Sequence, residues 1–141
     1  MPFEEISHTA DWSIRVWADD LAGLLAESAR GMIALTNAES SLSGVEGQAE
    51  GPRVKREVSL DAYDAESLLV AFLEELLYLS ESEGLIFDDF SQLTIEDLKL
   101  SGIMEGGALR SIEKEIKAVT FHNLEIRESE RGLEVEIVFD V

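Results

Sequence analysis

The chain has 141 residues, with 30 acidic against 11 basic side chains, a formal charge of −19, two histidines and no cysteine. That length suits one domain able to bury about 68–70% of its unfolded surface, and the missing cysteines exclude disulfides, thiolate zinc sites and thiol nucleophiles. So acidic a surface repels phosphate backbones, which excludes strong direct binding of nucleic acid, and any metal held here would be a hard cation on oxygen ligands.

The opening stretch "MPFEEISHTADW" lacks the charged-then-apolar pattern of a signal peptide. No apolar run approaches the ~18 residues of a membrane span, so the expected location is the cytoplasm. A first strand is expected at Ser13 to Ala18, where Ile14 and Val16 alternate with Ser13, Arg15 and Trp17, after which Asp19 and Asp20 offer an N-cap. Leu21, Leu24, Leu25, Ser28, Met32 and Leu35 recur at spacings of three and four and predict a helix ending near Thr36 and Asn37, despite the cost of Gly23 and Gly31. The stretch "NAESSLSGVEGQAEGP" has no period and reads as a mobile loop. A second strand is expected from Arg53 to Leu60. Asp64 then caps a second helix from Ala65 to Glu83, marked by Leu68, Leu69, Phe72, Leu73, Leu76 and Leu77 and stopped by Gly84. Beyond it, "LIFDDF", "QLTIEDLKL", "EIKAVTFHNLEI" and "LEVEIVFD" read as successive strands. Two amphipathic helices among grouped strands predict an α+β fold, a single domain over residues 1–141 with mainly antiparallel sheet.

Three places on this scaffold carry chemistry. The final "GLEVEIVFDV" alternates cleanly, with Leu133, Val135, Ile137 and Phe139 on the core face and Glu134, Glu136, Val138 and Asp140 on the other. It ends on the Asp140 carboxylate and the main-chain carboxylate of Val141, two anionic oxygen donors that make half of a hard-cation site; the plain alternative is an exposed aspartate at the end of an edge strand. "SHTADW" crowds His8, Thr9 and Asp11 together, and its plain alternative is a turn in which Asp11 accepts backbone hydrogen bonds. "IKAVTFH" would place Lys117, Val119 and Phe121 on one face of a strand and Ile116, Ala118, Thr120 and His122 on the other; a lysine so placed ordinarily snorkels at a strand edge.

If Asp11, Asp140 and the Val141 carboxylate converge, each like-charged pair near ~4 Å costs roughly 4 kcal/mol at an effective dielectric of about 20. A protonated carboxyl, a bound cation or the nearby Lys117 ammonium must then offset that cost. An oxygen-only cluster selects Ca²⁺, Mg²⁺ or Mn²⁺, and Ca²⁺ tolerates irregular geometry best.

Taken in order, "HTAD", "LLVAFLEELLYLSESEG", "IKAVTFH" and the terminal "FDV" span nearly the whole chain, and together they resemble the archease family. The resemblance implies a small α+β protein, not itself an enzyme, that activates the RtcB-type RNA ligase of tRNA splicing. It would promote guanylylation of the ligase's active-site histidine, which uses GTP and Mn²⁺, and so permit multiple turnover. Carried over residue by residue, the family's metal site falls on Asp11, Asp140 and Val141, and Lys117 matches a lysine implicated in activation. His8 and His122 also match and read as structural hydrogen-bond formers. The segment "GIMEGGALRSIEKE" has no histidine where family members often carry one, so no role passes to it.

Two other classes compete. A free-standing metal-dependent hydrolase would use Asp11 and Asp140 as ligands with Lys117 or His8 as acid–base group, but the sequence offers no evident nucleophile and no phosphate-cradling glycine loop. A chaperone or generic interaction domain with a structural cation is the other. The oligomeric state, the cation held in the cell and any role of the loop from Glu39 to Gly51 on a partner stay open.

Overall fold

The structure is a computed structural model and describes residues 2–7, 12–36, 39–40 and 53–141. Phe3–Ser7 (β1) pairs antiparallel with Trp12–Ala18 (β2), Phe3 opposite Val16 and Ser7 opposite Trp12. The sequence reading expects no strand at β1, because its apolar residues Phe3 and Ile6 stand three apart and leave no period of two. Leu21–Thr36 forms α1, buried through Leu24, Leu25, Ser28, Ala29, Met32 and Leu35. Asp20 starts it: its side chain accepts from the Gly23 N–H at 2.7 Å and its carbonyl from the Leu24 N–H at 2.9 Å. Gly31 lets α1 lie close to β1 and β2, since a Cβ there would stand 2.7 Å from Ile14 Cδ1 and 3.2 Å from the Phe3 ring.

Glu39–Ser40 (β3) is the described part of the expected loop; residues 37–38 and 41–52 lie outside the described residues. Val54–Asp61 (β4) follows, then Ala65–Glu83 (α2). The Asp64 side chain accepts from the Ser67 N–H at 2.7 Å, and Gly84 closes the helix at φ 63°, a left-handed conformation that favours glycine.

Leu85–Glu96 (β5) and Lys99–Ser111 (β6) form one long hairpin. This corrects the reading of "QLTIEDLKL" as a single strand: Asp97 and Leu98 turn the chain at φ 52° and 59° between the facing Glu96 and Lys99. A two-residue turn with both central φ angles positive suits the twist of a hairpin and usually carries Asn-Gly or Asp-Gly. Here a leucine takes the second place, its carbonyl accepting from the Ala62 N–H at 3.2 Å.

The expected strand "EIKAVTFHNLEI" is also corrected. Within it only Ala118–Val119 (β7) forms a strand, and Arg127–Ser129 (β8) follows just beyond it; both pair with Gly132–Asp140 (β9). One sheet has the order β1-β2-β9-β7, with β8 also on β9; the other has β3-β6-β4, with β5 also on β6, and every pairing is antiparallel. Both helices touch both sheets and join them through one core, in which Ile14, Leu24, Leu68, Phe72, Met104, Ile137 and Phe139 are almost wholly shielded. Each such side chain contributes about 1.5–3 kcal/mol on burial. The fold is therefore α+β with antiparallel sheets. Among the described residues no helix is long and apolar enough to cross a membrane.

Candidate functional site

β9 is a central strand. Its alternation is clean because both neighbours hold it in register: β2 sets Trp12 opposite Phe139 and Ala18 opposite Leu133, while β7 sets Val119 opposite Phe139 and Ala118 opposite Asp140. Val135, Ile137 and Phe139 are buried and Asp140 is exposed. Asp140 and Val141 thus emerge where three strand ends meet, and the edge-strand alternative does not hold.

Lys117 is brought to the same place by its backbone. Its N–H donates to the Asp140 carbonyl at 2.7 Å although Ala118 is the register partner of Asp140, so two residues of one strand oppose one of the other. That is a β-bulge, which shifts the alternation by one residue and re-aims side chains. It explains why Ile116 and Val119, three apart, are both buried at 5% exposure while Lys117 and Phe121 are exposed. The expected sharing of a face by Lys117, Val119 and Phe121 fails for two reasons: the bulge separates Lys117 from Val119, and β7 ends at Val119, before Phe121.

Asp11 and His8 lie outside the described residues; Asp11 is bonded to Trp12, which pairs with Phe139. His122 stands apart from the strand ends in an exposed turn, where its N–H donates to Thr120 Oγ1 at 3.2 Å and its ring Nε2 lies 3.3 Å from Asn123 Nδ2, the hydrogen-bonding role expected for it. Among the described residues no group of three or more His, Asp or Glu gathers as a metal cluster, and no ion pair engages the Asp140 carboxylate. The described side-chain donor, the Asp140 carboxylate, is of the kind a hard cation takes.

Several contacts around the site carry no sequence signal. The Lys114 ammonium lies 3.8 Å from the centroid of the Trp12 ring, and the N–H groups of Glu113 and Lys114 both donate to the Thr36 carbonyl at the end of α1, at 3.0 and 3.2 Å. From α2, Glu74 Oε1 accepts from the Val119 N–H at 3.2 Å and Glu66 Oε2 from the Ile126 N–H at 2.9 Å. These partners are 45 to 102 residues apart in sequence and no local pattern joins them. On the outer face of β9, burial pushes the Glu134 carboxyl up, but hydrogen bonds from Arg131 and Ser129 and the charges of Arg131 and Arg15 outweigh it and hold the group below the ordinary carboxylate value.

Residues 3–141 match the model of the archease protein family (MTH1598/TM1083). The archease of Methanopyrus kandleri is 33% identical over 148 residues, covering 100% of both chains. Among solved structures, the solution structure of protein 1598 from Methanobacterium thermoautotrophicum superposes with a TM-score of 0.69 at 22% identity, covering 99% of each chain. The crystal structure of an archease from Thermotoga maritima, described as a possible chaperone, gives a TM-score of 0.66 at 21% identity and covers 98% of this chain and 96% of that one. At those identities the two structures establish a common fold, and the sequence match carries the kinship: the chain belongs to the archease protein family.

Proposed function

We propose that this protein is a non-enzymatic activator of an RtcB-type RNA ligase in tRNA splicing, acting in the cytoplasm as one domain and promoting guanylylation and multiple turnover of the ligase. The observation that carries the reading is the meeting of three strand ends at Asp140, with Lys117 tied to it through the 2.7 Å backbone bond. That junction ties together, on an ordered sheet, the backbones that carry the Asp140 carboxylate and the Lys117 side chain, which supports a site acting on another protein. The charge of −19 supports the partner, since an RNA-binding ligase presents a basic surface and opposite charge speeds encounter. The possible-chaperone description of the Thermotoga archease agrees with the coarser reading of action on a protein.

In this reading Asp140, the main-chain carboxylate of Val141 and Asp11 hold a divalent cation, Ca²⁺ first and Mg²⁺ or Mn²⁺ otherwise. The cation would neutralise the crowded carboxylates and offer a coordination position to the partner. Lys117 supplies a positive charge beside them. The test is a guanylylation assay of the ligase with and without this chain. Stimulation supports the reading; binding without stimulation favours a chaperone or generic interaction domain, and turnover of a phosphoester by the isolated chain would favour the hydrolase.

A further inference from the structure

The chain between β7 and β8 is longer than the strand it spans. Seven residues, 120–126, connect Val119 to Arg127, while only four, 135–138, separate their partners Phe139 and Glu134 on β9. Three surplus residues therefore leave the sheet as an arch. The arch is pinned along its length: the Thr120 N–H donates to the Val138 carbonyl at 3.0 Å, the Leu124 N–H to the Phe121 carbonyl at 3.1 Å, and Asn123 takes a left-handed φ of 52° between them. The carboxylates of Glu74 and Glu66 on α2 accept the N–H groups of Val119 and Ile126 at its two ends.

This fixed arch holds a large apolar side chain out in water. Phe121 is 58% exposed, whereas Leu124 and Ile126 of the same segment pack against the core. Beside it, a cleft of about 780 Å³ opens between the arch and the outer face of the first sheet, walled by His122, Arg127, Glu128 and Glu136 with Val138 on its floor. Asp140 follows Val138 on that same face of β9, and the Lys117 bulge precedes the arch directly. His122 to Glu125 of the arch thus line the cleft, and Phe121 immediately precedes them in the chain.

We infer that Phe121 is an aromatic anchor for the protein partner, seated in an apolar pocket rimmed by lysines and arginines. An exposed aromatic on a pre-ordered backbone loses little entropy on docking and is the residue type that dominates interface energetics. Of the cleft's carboxylates Glu125 pairs with Arg127, and Glu134 and Glu136 with Arg15; four acidic against two basic side chains leave the wall beside the anchor net acidic, on a chain of net charge −19, and so complementary to a basic rim. The inference rests on the ligase-activator reading and names the surface through which that activator docks.

The experiment measures binding of the full-length ligase to the immobilised full chain, for the parent, Phe121→Ser and Tyr63→Ser. Tyr63 is 92% exposed before α2, outside the arch and the lining of the cleft, and controls for loss of any exposed aromatic. Expected are affinity at least tenfold weaker for Phe121→Ser, less than twofold changed for Tyr63→Ser, and melting temperatures within about 2 °C of the parent because both side chains are exposed. If the parent does not bind the ligase, the activator reading fails and takes the anchor with it. If the parent binds and Phe121→Ser binds equally well, or both variants lose affinity alike, the anchor alone is overturned. Should Phe121→Ser not fold, hydrogen exchange of the parent decides: amides of residues 121–125 gain protection in the complex if the arch docks, and unchanged exchange there overturns the inference.

Discussion

The Lys114 ammonium sits 3.8 Å above the indole of Trp12, a contact that joins the connector after β6 to the start of β2. With the N–H groups of Glu113 and Lys114 on the Thr36 carbonyl and that of Lys117 on Asp140, it fixes the connector at three places between the end of α1 and the end of β9. A cation over an indole is worth about 0.5–1 kcal/mol at an exposed site. Lys114→Met keeps the aliphatic stem and loses the charge, so urea titration should find it less stable by about that amount, with Lys114→Arg close to the parent. Equal stability of the methionine variant and the parent would mean that the backbone bonds to Thr36 alone hold the connector.

Lys117 gives a cleaner separation of fold from function. Its contact with Asp140 is made by its backbone N–H, which any residue but proline retains, and its side chain is exposed. Lys117→Met should therefore keep the bulge and melt within about 2 °C of the parent. Stimulation of ligase guanylylation should nevertheless fall by about tenfold or more, as expected for loss of a positioned charge in a binding site. Retained stimulation would return Lys117 to an ordinary strand-edge lysine.

What was legible in the sequence follows from where the determining interactions lie. α2 was readable to its ends because its apolar spacing, the Asp64 cap and the Gly84 stop are all local. The β5–β6 hairpin was not, because its turn uses Asp97-Leu98 in a conformation that normally signals itself with glycine, and because β6 carries Gly102, Gly106 and Gly107, residues that weaken a strand pattern. Gly102 and Gly106 serve close approach of two backbones: a Cβ at Gly102 would lie 2.2 Å from the Gln92 carbonyl oxygen and one at Gly106 1.9 Å from that of Ile86, contacts that no one-strand pattern encodes. At the site, the alternation of β9 was legible and its central position was not, since centrality depends on β2 and β7 arriving from opposite ends of the chain. The bulge at Lys117 inverted the expected faces for the same reason.

Asp64 offers a pH-dependent test of the α2 cap. The backbone N–H of Ser67, aided by the Ser67 side chain, holds its carboxyl below the ordinary value of 3.8. Because the folded-state pKa is depressed, the contribution of the cap is complete above the unfolded value and fades as pH falls through the folded one. Asp64→Ala should lower the melting temperature by ~2–5 °C at neutral pH, and the gap should narrow as the pH falls below about 4. Asp64→Asn keeps an acceptor without a titration, so its difference from the parent should shrink in the same acidic range. A gap between parent and alanine variant that stays constant from neutral pH to pH 3 would rule out the charged cap as its source.

The proposed cation shell makes the sharpest demand at the end of β9. If the main-chain carboxylate of Val141 is a ligand, one added glycine converts it into a neutral amide and places new atoms where the cation would sit. The Asp140 side chain survives that change, and so does its pairing with Ala118. Calorimetry should therefore find Ca²⁺ affinity reduced by tenfold or more in the glycine-extended chain, the loss of one charged oxygen donor from a small set. Asp11→Asn and Asp140→Asn should weaken binding similarly. The circular dichroism spectrum should stay at that of the parent in all three, because the buried residues of β9 end at Phe139. An N-terminal extension should do much less, since Met1 lies ten residues before Asp11 in sequence. Undiminished Ca²⁺ binding in the glycine-extended chain would remove Val141 from the shell and leave Asp140 and Asp11 as its only protein carboxylates; undiminished binding in Asp140→Asn as well would place the cation elsewhere on the acidic surface.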